Sequence, residues 1–186
     1  MTNPRIPPVP KSEMSAEALA ALGPLAQRSD IDNVFATFVQ HPDLFRRYSP
    51  LGNHILFKST IGARERELAI LRIGSLNRAE YEFAQHTVIG IDCGLTMDEV
   101  ARVHDGPSAE GWNDLDRSIL QAVDELFDGG KVADETWTKL SESYDTKQMM
   151  DLVFSIGVYN MISWSLNSFG VQLDDKLTGH PWPFTD

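Results

Sequence analysis

A chain of 186 residues is long enough for one domain that buries roughly 70% of the surface its unfolded form exposes, with no need of a disulfide or metal staple. At 42% hydrophobic and 23% charged residues it has the composition of a soluble globular protein, and no apolar run approaches the roughly 18 residues of a membrane span. The net charge of -11, from 16 Lys and Arg against 27 Asp and Glu, argues against a surface that tracks phosphates, and so against nucleic acid as a partner.

The first ten residues carry four prolines and lack the apolar core of a secretory signal. They read as an extended arm, residues 1–12, ahead of one helical domain, 13–186, in a cytoplasmic protein. Residues 15–27 are rich in Ala and Leu and predict a helix interrupted at Gly23-Pro24. Asp30 or Asp32 is placed to cap a helix carrying Val34, Phe35, Phe38 and Val39. Asp43 begins another with Leu44, Phe45 and Tyr48, which Pro50 and Gly52 are expected to end before Ile55. Two helices then follow closely, over 63–75 and 79–93, broken at Asn77 and stopped at Gly94. Thr96-Met97-Asp98-Glu99 has the form of a capping box for a short helix through Val103, and 105–113 reads as a loop. Leu115, Ile119, Leu120, Val123 and Leu126 recur at helical spacing up to Gly129-Gly130, Asp134 caps a helix with Trp137 and Leu140, and Asp145 opens a long last helix ending at Gly170. The tail with Pro181, Trp182, Pro183 and Phe184 is too apolar to be idle and is expected to dock on its own domain or on a neighbour. No stretch alternates with a period of two, so the chain reads as all-α.

Chemistry is to be sought in the closely spaced pair of helices. Glu82 and His86 stand four apart and share a face, and an antiparallel return of the chain would bring Glu67 of the preceding helix to the same ring. A histidine between two carboxylates has the parts of an acid/base relay. The plainer reading is a solvent-exposed Glu82/His86 pair, with Glu67 answering Arg64 or Arg66 on the surface. Arg72, amid aliphatic residues, wants an anion, either a protein carboxylate or an acidic substrate, and Tyr81 is either a site hydroxyl or packing with a polar tip. Carboxylate-bridged di-iron bundles use Glu-x-x-His, whereas this chain has Glu82-x-x-x-His86, so no metal and no cofactor is called. Cys93, the single cysteine, lies about 10 Å along the helix from His86, too far for direct activation. It excludes an internal disulfide and fits a reducing compartment.

The residues Arg64-Glu65-Arg66-Glu67-Leu68, followed by Ala79-Glu80-Tyr81-Glu82-Phe83-Ala84-Gln85-His86, resemble the carboxymuconolactone decarboxylase family. That family includes alkylhydroperoxidase-D-like proteins, whose motif runs Glu, eleven residues, Cys-x-x-Cys, three residues, His. Laid on this chain, the Glu falls on Glu67, the cysteines on Ala79 and Glu82, and the His on His86. The resemblance is specific over 64–103 and reaches on to the segment 167–173. It implies a single-domain helical bundle of the alkylhydroperoxidase-D-like type and a homo-oligomer, a trimer or trimer-based hexamer, with sites close to subunit contacts. Without the paired cysteines, dithiol peroxide reduction is not expected. The thiol-free pattern is similar to the decarboxylase-like branch, in which a small acid or lactone loses carbon dioxide and the resulting enolate carbon takes a proton. The resemblance assigns that proton to His86, with Glu67 and Glu82 orienting it and Arg72 or another subunit's residue holding the substrate anion. A peroxidase-like oxidoreductase relying on Cys93 as a lone thiol, and a non-catalytic ligand-binding assembly, are the other two classes the residues allow.

Overall fold

In the computed structural model, which describes residues 4–177 and 179–184, there are nine α-helices and no strand among the described residues. They are α1 (Ala16–Leu22), α2 (Asn33–Phe38), α3 (Pro42–Lys58), α4 (Ala63–Leu76), α5 (Glu80–Asp92), α6 (Met97–Arg102), α7 (Asp114–Gly129), α8 (Asp134–Ser141) and α9 (Thr146–Phe169). The all-α expectation is met, and none of these helices is long and apolar enough to cross a membrane.

α4 organises the rest. Every residue from Arg66 to Ser75 is buried, and a helix buried around its whole circumference has to be surrounded. α5, α7 and α9 pack on it. The main core joins Ile70 and Ile73 of α4 to Ile119 and Val123 of α7 and to Leu152, Ile156 and Ile162 of α9. A second cluster gathers Leu68, Leu71, Phe83, Val100 and Trp112, and a third, of Met14, Leu22, Val39 and Phe45, seats the N-terminal helices.

The connection from α4 to α5 is a tight reversal through Asn77 and Arg78, whose φ of +50° is unusual for a residue with a side chain. The two helices therefore lie antiparallel, and glycines let them approach. A Cβ on Gly74 would stand 3.6 Å from Glu82 Cγ, and one on Gly90 would stand 3.7 Å from Glu67 Cβ and 3.0 Å from Leu95 Cδ1.

Most predicted ends are where local chemistry puts them. Ser15 Oγ accepts from the Ala18 amide at 3.1 Å and starts α1, which gives way at Gly23-Pro24 to a 3-10 turn, Gly23–Gln27. The expected capping box of Thr96 with Glu99 forms, Asp145 opens α9 as expected and makes a second box with Gln148, and Gly170 ends α9 in the left-handed conformation.

Four expectations are corrected. α3 does not end at Pro50 or Gly52 but runs on to Lys58, because Phe45, Gly52 and Ile55 bury one continuous face on both sides of the proline. Packing there outweighs the lost backbone hydrogen bond. Asp32 occupies the N-cap of α2 without capping it, since its carboxylate is taken by Lys176 and, at 3.6 Å, by Arg28. Asp134 is the first residue of α8, not its cap, which is Ala133. The stretch 105–113 is not wholly loop, because a 3-10 segment, Val103–Ser108, holds its first part.

Both ends of the described chain are docked. The amides of Arg5 and Ile6 donate to the Phe169 carbonyl at the end of α9. Trp182 packs edge-on against Phe83 with ring centroids 5.5 Å apart, and Phe184 lies between His104 and the Arg78 guanidinium. The apolar tail thus covers its own domain.

Candidate functional site

The antiparallel α4/α5 pair brings Glu67, Glu82 and His86 together. His86 Nδ1 is 2.5 Å from Glu67 Oε2, and its Nε2 is 3.0 Å from Glu82 Oε1. All three are at most 5% exposed, so the solvent-exposed reading of this pair is overturned. The other oxygen of Glu67 accepts from Arg66 Nε at 2.9 Å, which makes Arg66 the cation nearest the cluster. The two contacts of the ring differ in kind. The Nδ1 contact is a short hydrogen bond, whereas Glu82 meets Nε2 off the direction of one and is left with Oε1 buried and without a donor.

Burial disfavours a charged imidazole, but Glu67 and Glu82 together outweigh it and raise His86 to about 10. Burial likewise opposes ionisation of Glu67, and His86 and Arg66 overcome it and hold the carboxyl below its ordinary value. At neutral pH the ring is therefore an imidazolium clasped by carboxylate, a proton donor rather than a base. With both ring nitrogens facing carboxylates, the histidine has no lone pair free for a metal, and the described residues contain no cluster arranged to hold one.

Two tyrosines complete the surroundings, and sequence reasoning did not assign them to the site. Tyr159 of α9 sets its ring edge-on to His86 at 4.7 Å, and burial and the nearby Glu82 charge raise its hydroxyl far above the ordinary range. Tyr48 of α3, raised by burial and by Glu82, has Gly52 beneath its hydroxyl, 3.1 Å from where a Cβ would be. The legible signal for Tyr159 was its place on the buried stripe with Ile156 and Ile162, but that stripe does not say which ring it meets.

Arg72 and Tyr81 do not join the cluster. Arg72 makes a two-pronged pair with Asp124 at 2.6 and 2.8 Å, and its remaining nitrogen donates to the carbonyls of Val103 and His104. Four of its five N–H donors are spent on the protein and its charge is paired with Asp124, which leaves it poorly placed to hold a substrate anion. The Tyr81 hydroxyl donates to Asp174 at 2.6 Å and accepts from the Val34 amide, tying the C-terminal segment to α2. Cys93 is partly buried with its Sγ 3.9 Å from Arg66, and burial followed by the Glu67 charge pushes the thiol up, away from a reactive thiolate. Two surface grooves of about 370 and 360 Å³, one beside Trp137 and one beside Met14, lie away from the cluster.

Residues 42–125, from α3 into α7 and including all three clustered residues, match the carboxymuconolactone decarboxylase family. The uncharacterized protein YdfG of Bacillus subtilis (strain 168) is 26% identical over 110 residues, which are 58% of this chain and 74% of that protein. Among solved structures, the alkylhydroperoxidase AhpD core of an uncharacterized peroxidase-related protein from Ralstonia eutropha JMP134 superposes with a TM-score of 0.79 at 16% identity, covering 95% of this chain and 96% of that one. A variant of the debrominase Bmp8, solved with 2,3,4-tribromopyrrole, superposes with a TM-score of 0.72 at 16% identity, covering 94% of each chain. At such identities these structures speak for the fold, which is that of AhpD. Fold and matched segment agree: the fold is that of AhpD, and the segment that carries Glu67, Glu82 and His86 is similar to the carboxymuconolactone decarboxylase family.

Proposed function

We propose that the chain is a cofactor-free lyase that decarboxylates a small acidic or lactone substrate and protonates the carbon left behind. The observation that supports this is His86, buried between two carboxylates and charged at neutral pH. Loss of carbon dioxide breaks the bond to the carboxylate carbon and leaves its electron pair in an enolate, which needs an acid at carbon. Glu67 locks the Nδ1 proton, so the Nε2 proton, unaligned with Glu82, is the one to deliver. The buried free oxygen of Glu82 beside Nε2 is suited to return a solvent proton to the ring, and one proton is consumed per turnover. Arg66 keeps the cluster near neutrality, so an anionic substrate is not repelled at close range. A dithiol peroxide reaction has no second thiol to use, since Cys93 is the one cysteine.

The test is carbon dioxide release across a panel of small acids and acidic lactones, comparing the protein with His86→Gln. General acid catalysis contributes roughly 100-fold or more, so the variant is expected to lose at least that much turnover while keeping its helical circular dichroism. Undiminished release would remove His86 from the reaction.

A further inference from the structure

Loss of carbon dioxide makes two demands on a site, an acid for carbon and a partner for oxygen, and the cluster of Glu67, Glu82 and His86 answers the first. As the bond to the carboxylate carbon breaks, its electron pair forms a carbon–carbon double bond and the electrons of the neighbouring carbonyl move onto its oxygen. That oxygen holds most of the new charge until the carbon is protonated, and donors aimed at such an oxygen are usually the largest single contribution to a rate. No cation is left over to serve. Arg66 and His86 are matched by Glu67 and Glu82, and Arg72 is paired with Asp124.

Neutral donors have to do it, and two phenols stand beside the cluster. Tyr159 sets its ring 4.7 Å from that of His86 and is 4% exposed. Tyr48 is half-buried against the same core, near enough to feel the charge of Glu82, as Tyr159 does. Buried phenols ordinarily find a hydrogen-bond partner. Tyr81 has Asp174 and the Val34 amide. Neither Tyr48 nor Tyr159 has one among the described residues. Both hydroxyls keep their protons at neutral pH, so toward an anion they are donors.

The place of the Tyr48 hydroxyl is built into α3. Glycine is among the poorest helix formers, and this helix already carries Pro50. Yet the atoms nearest a Cβ on Gly52 all belong to Tyr48, its hydroxyl oxygen at 3.1 Å and the carbon that bears it at 3.2 Å. The helix gives up stability at Gly52 and seats this hydroxyl in return.

We propose that the hydroxyls of Tyr48 and Tyr159 are catalytic, donating together to the substrate oxygen that turns anionic as carbon dioxide leaves. The assignment rests on the lyase reading of His86. The enolate oxygen accepts both hydrogen bonds without taking either proton, Nε2 passes its proton to the carbon, and the carbonyl re-forms. An acid with no carbonyl beside the carbon that loses carbon dioxide has nothing to offer the two donors and is not turned over.

The test uses para-nitrophenol, whose phenolate oxygen stands in for the enolate, and follows its absorption band on binding to the full chain, alongside carbon dioxide release from the panel of acids. Tyr48→Phe and Tyr159→Phe each differ from the wild type by one oxygen atom. Each is expected to weaken phenolate binding roughly 10-fold or more and to lower kcat roughly 100-fold with KM changed far less. Gly52→Ala, which displaces the Tyr48 hydroxyl without removing it, should weaken binding in the same sense. Tyr144→Phe removes another buried hydroxyl, one beside Glu65 and Asp116, and should change neither quantity. A wild type that does not bind the phenolate, or binding unchanged in both tyrosine variants, would overturn the proposal. So would carbon dioxide release that falls in His86→Gln and stays at the wild-type rate in both tyrosine variants. Phenolate held through the two hydroxyls with no carbon dioxide released from any acid would keep the donor pair and overturn the lyase reading instead.

Discussion

His86 carries two opposed demands. An imidazolium removed from water is costly, and only anions in direct contact make it tolerable. Glu67 at 2.5 Å and Glu82 at 3.0 Å are those anions, and the ring's affinity for its proton rises to about 10 as a result. The same coupling makes stability depend on pH. The unfolded ring titrates near 6.5, so the stabilisation from the charged ring is complete below that pH and is lost as pH rises toward 10. Glu67, held below its ordinary value of 4.5, contributes in the opposite sense, in full above 4.5 and fading in acid. Chemical denaturation across a pH series should therefore show a plateau between 4.5 and 6.5 and a decline from 6.5 toward 10. His86→Gln should remove the alkaline decline, and a decline that persists in that variant would assign it to other groups.

Helices α4 and α5 place the three polar residues only because their backbones come close, and the polar burial beside them is balanced locally. Arg72 shows how. Its guanidinium, 7% exposed in the middle of α4, is satisfied by Asp124 of α7 on one edge and by two carbonyls of the 3-10 segment Val103–Ser108 on the other. That segment turns at Gly106, where φ is +74° and a Cβ would stand 2.6 Å from Arg72 Nη2. Trp112 fixes the same turn by donating to the Gly106 carbonyl at 3.0 Å. Gly106→Ala combines a left-handed conformation that alanine resists with a steric conflict at a spent guanidinium, and should cost about 3 kcal/mol in equilibrium unfolding. A loss below about 0.5 kcal/mol, within the range of ordinary surface substitutions, would mean that the turn relaxes.

The molecule as a whole is closed by its two ends. The N-terminal arm hydrogen-bonds to the end of α9, and the tail lays Trp182 on Phe83, the residue between Glu82 and Ala84 on the site helix. Trp182→Ala removes a half-buried indole from the second core cluster and should cost about 2 kcal/mol, lowering the melting temperature by roughly 4–8 °C. An unchanged melting temperature would show that the tail contributes no stability.

Secondary structure was readable wherever the deciding interaction is local. The capping box at Thr96, the opening of α9 at Asp145, the break at Gly23-Pro24 and the stop at Gly170 each depend on residues within four positions of one another. So does the shared face of Glu82 and His86. Pro50 was misread because a local rule met a distant force, the burial of α3 on both sides of the proline. The Glu67 contact followed from the short connection and from the family resemblance, but whether the trio lay in solvent or in the core did not, since a polar residue's spacing carries no record of what covers it. Packing of α9 across α4 and α5 supplied the answer, and with it Tyr159 against the ring. Arg72 belongs to the same class. Its need for an anion was plain from its neighbours in sequence, whereas the choice of Asp124, 52 positions away, depends on how α7 packs on α4.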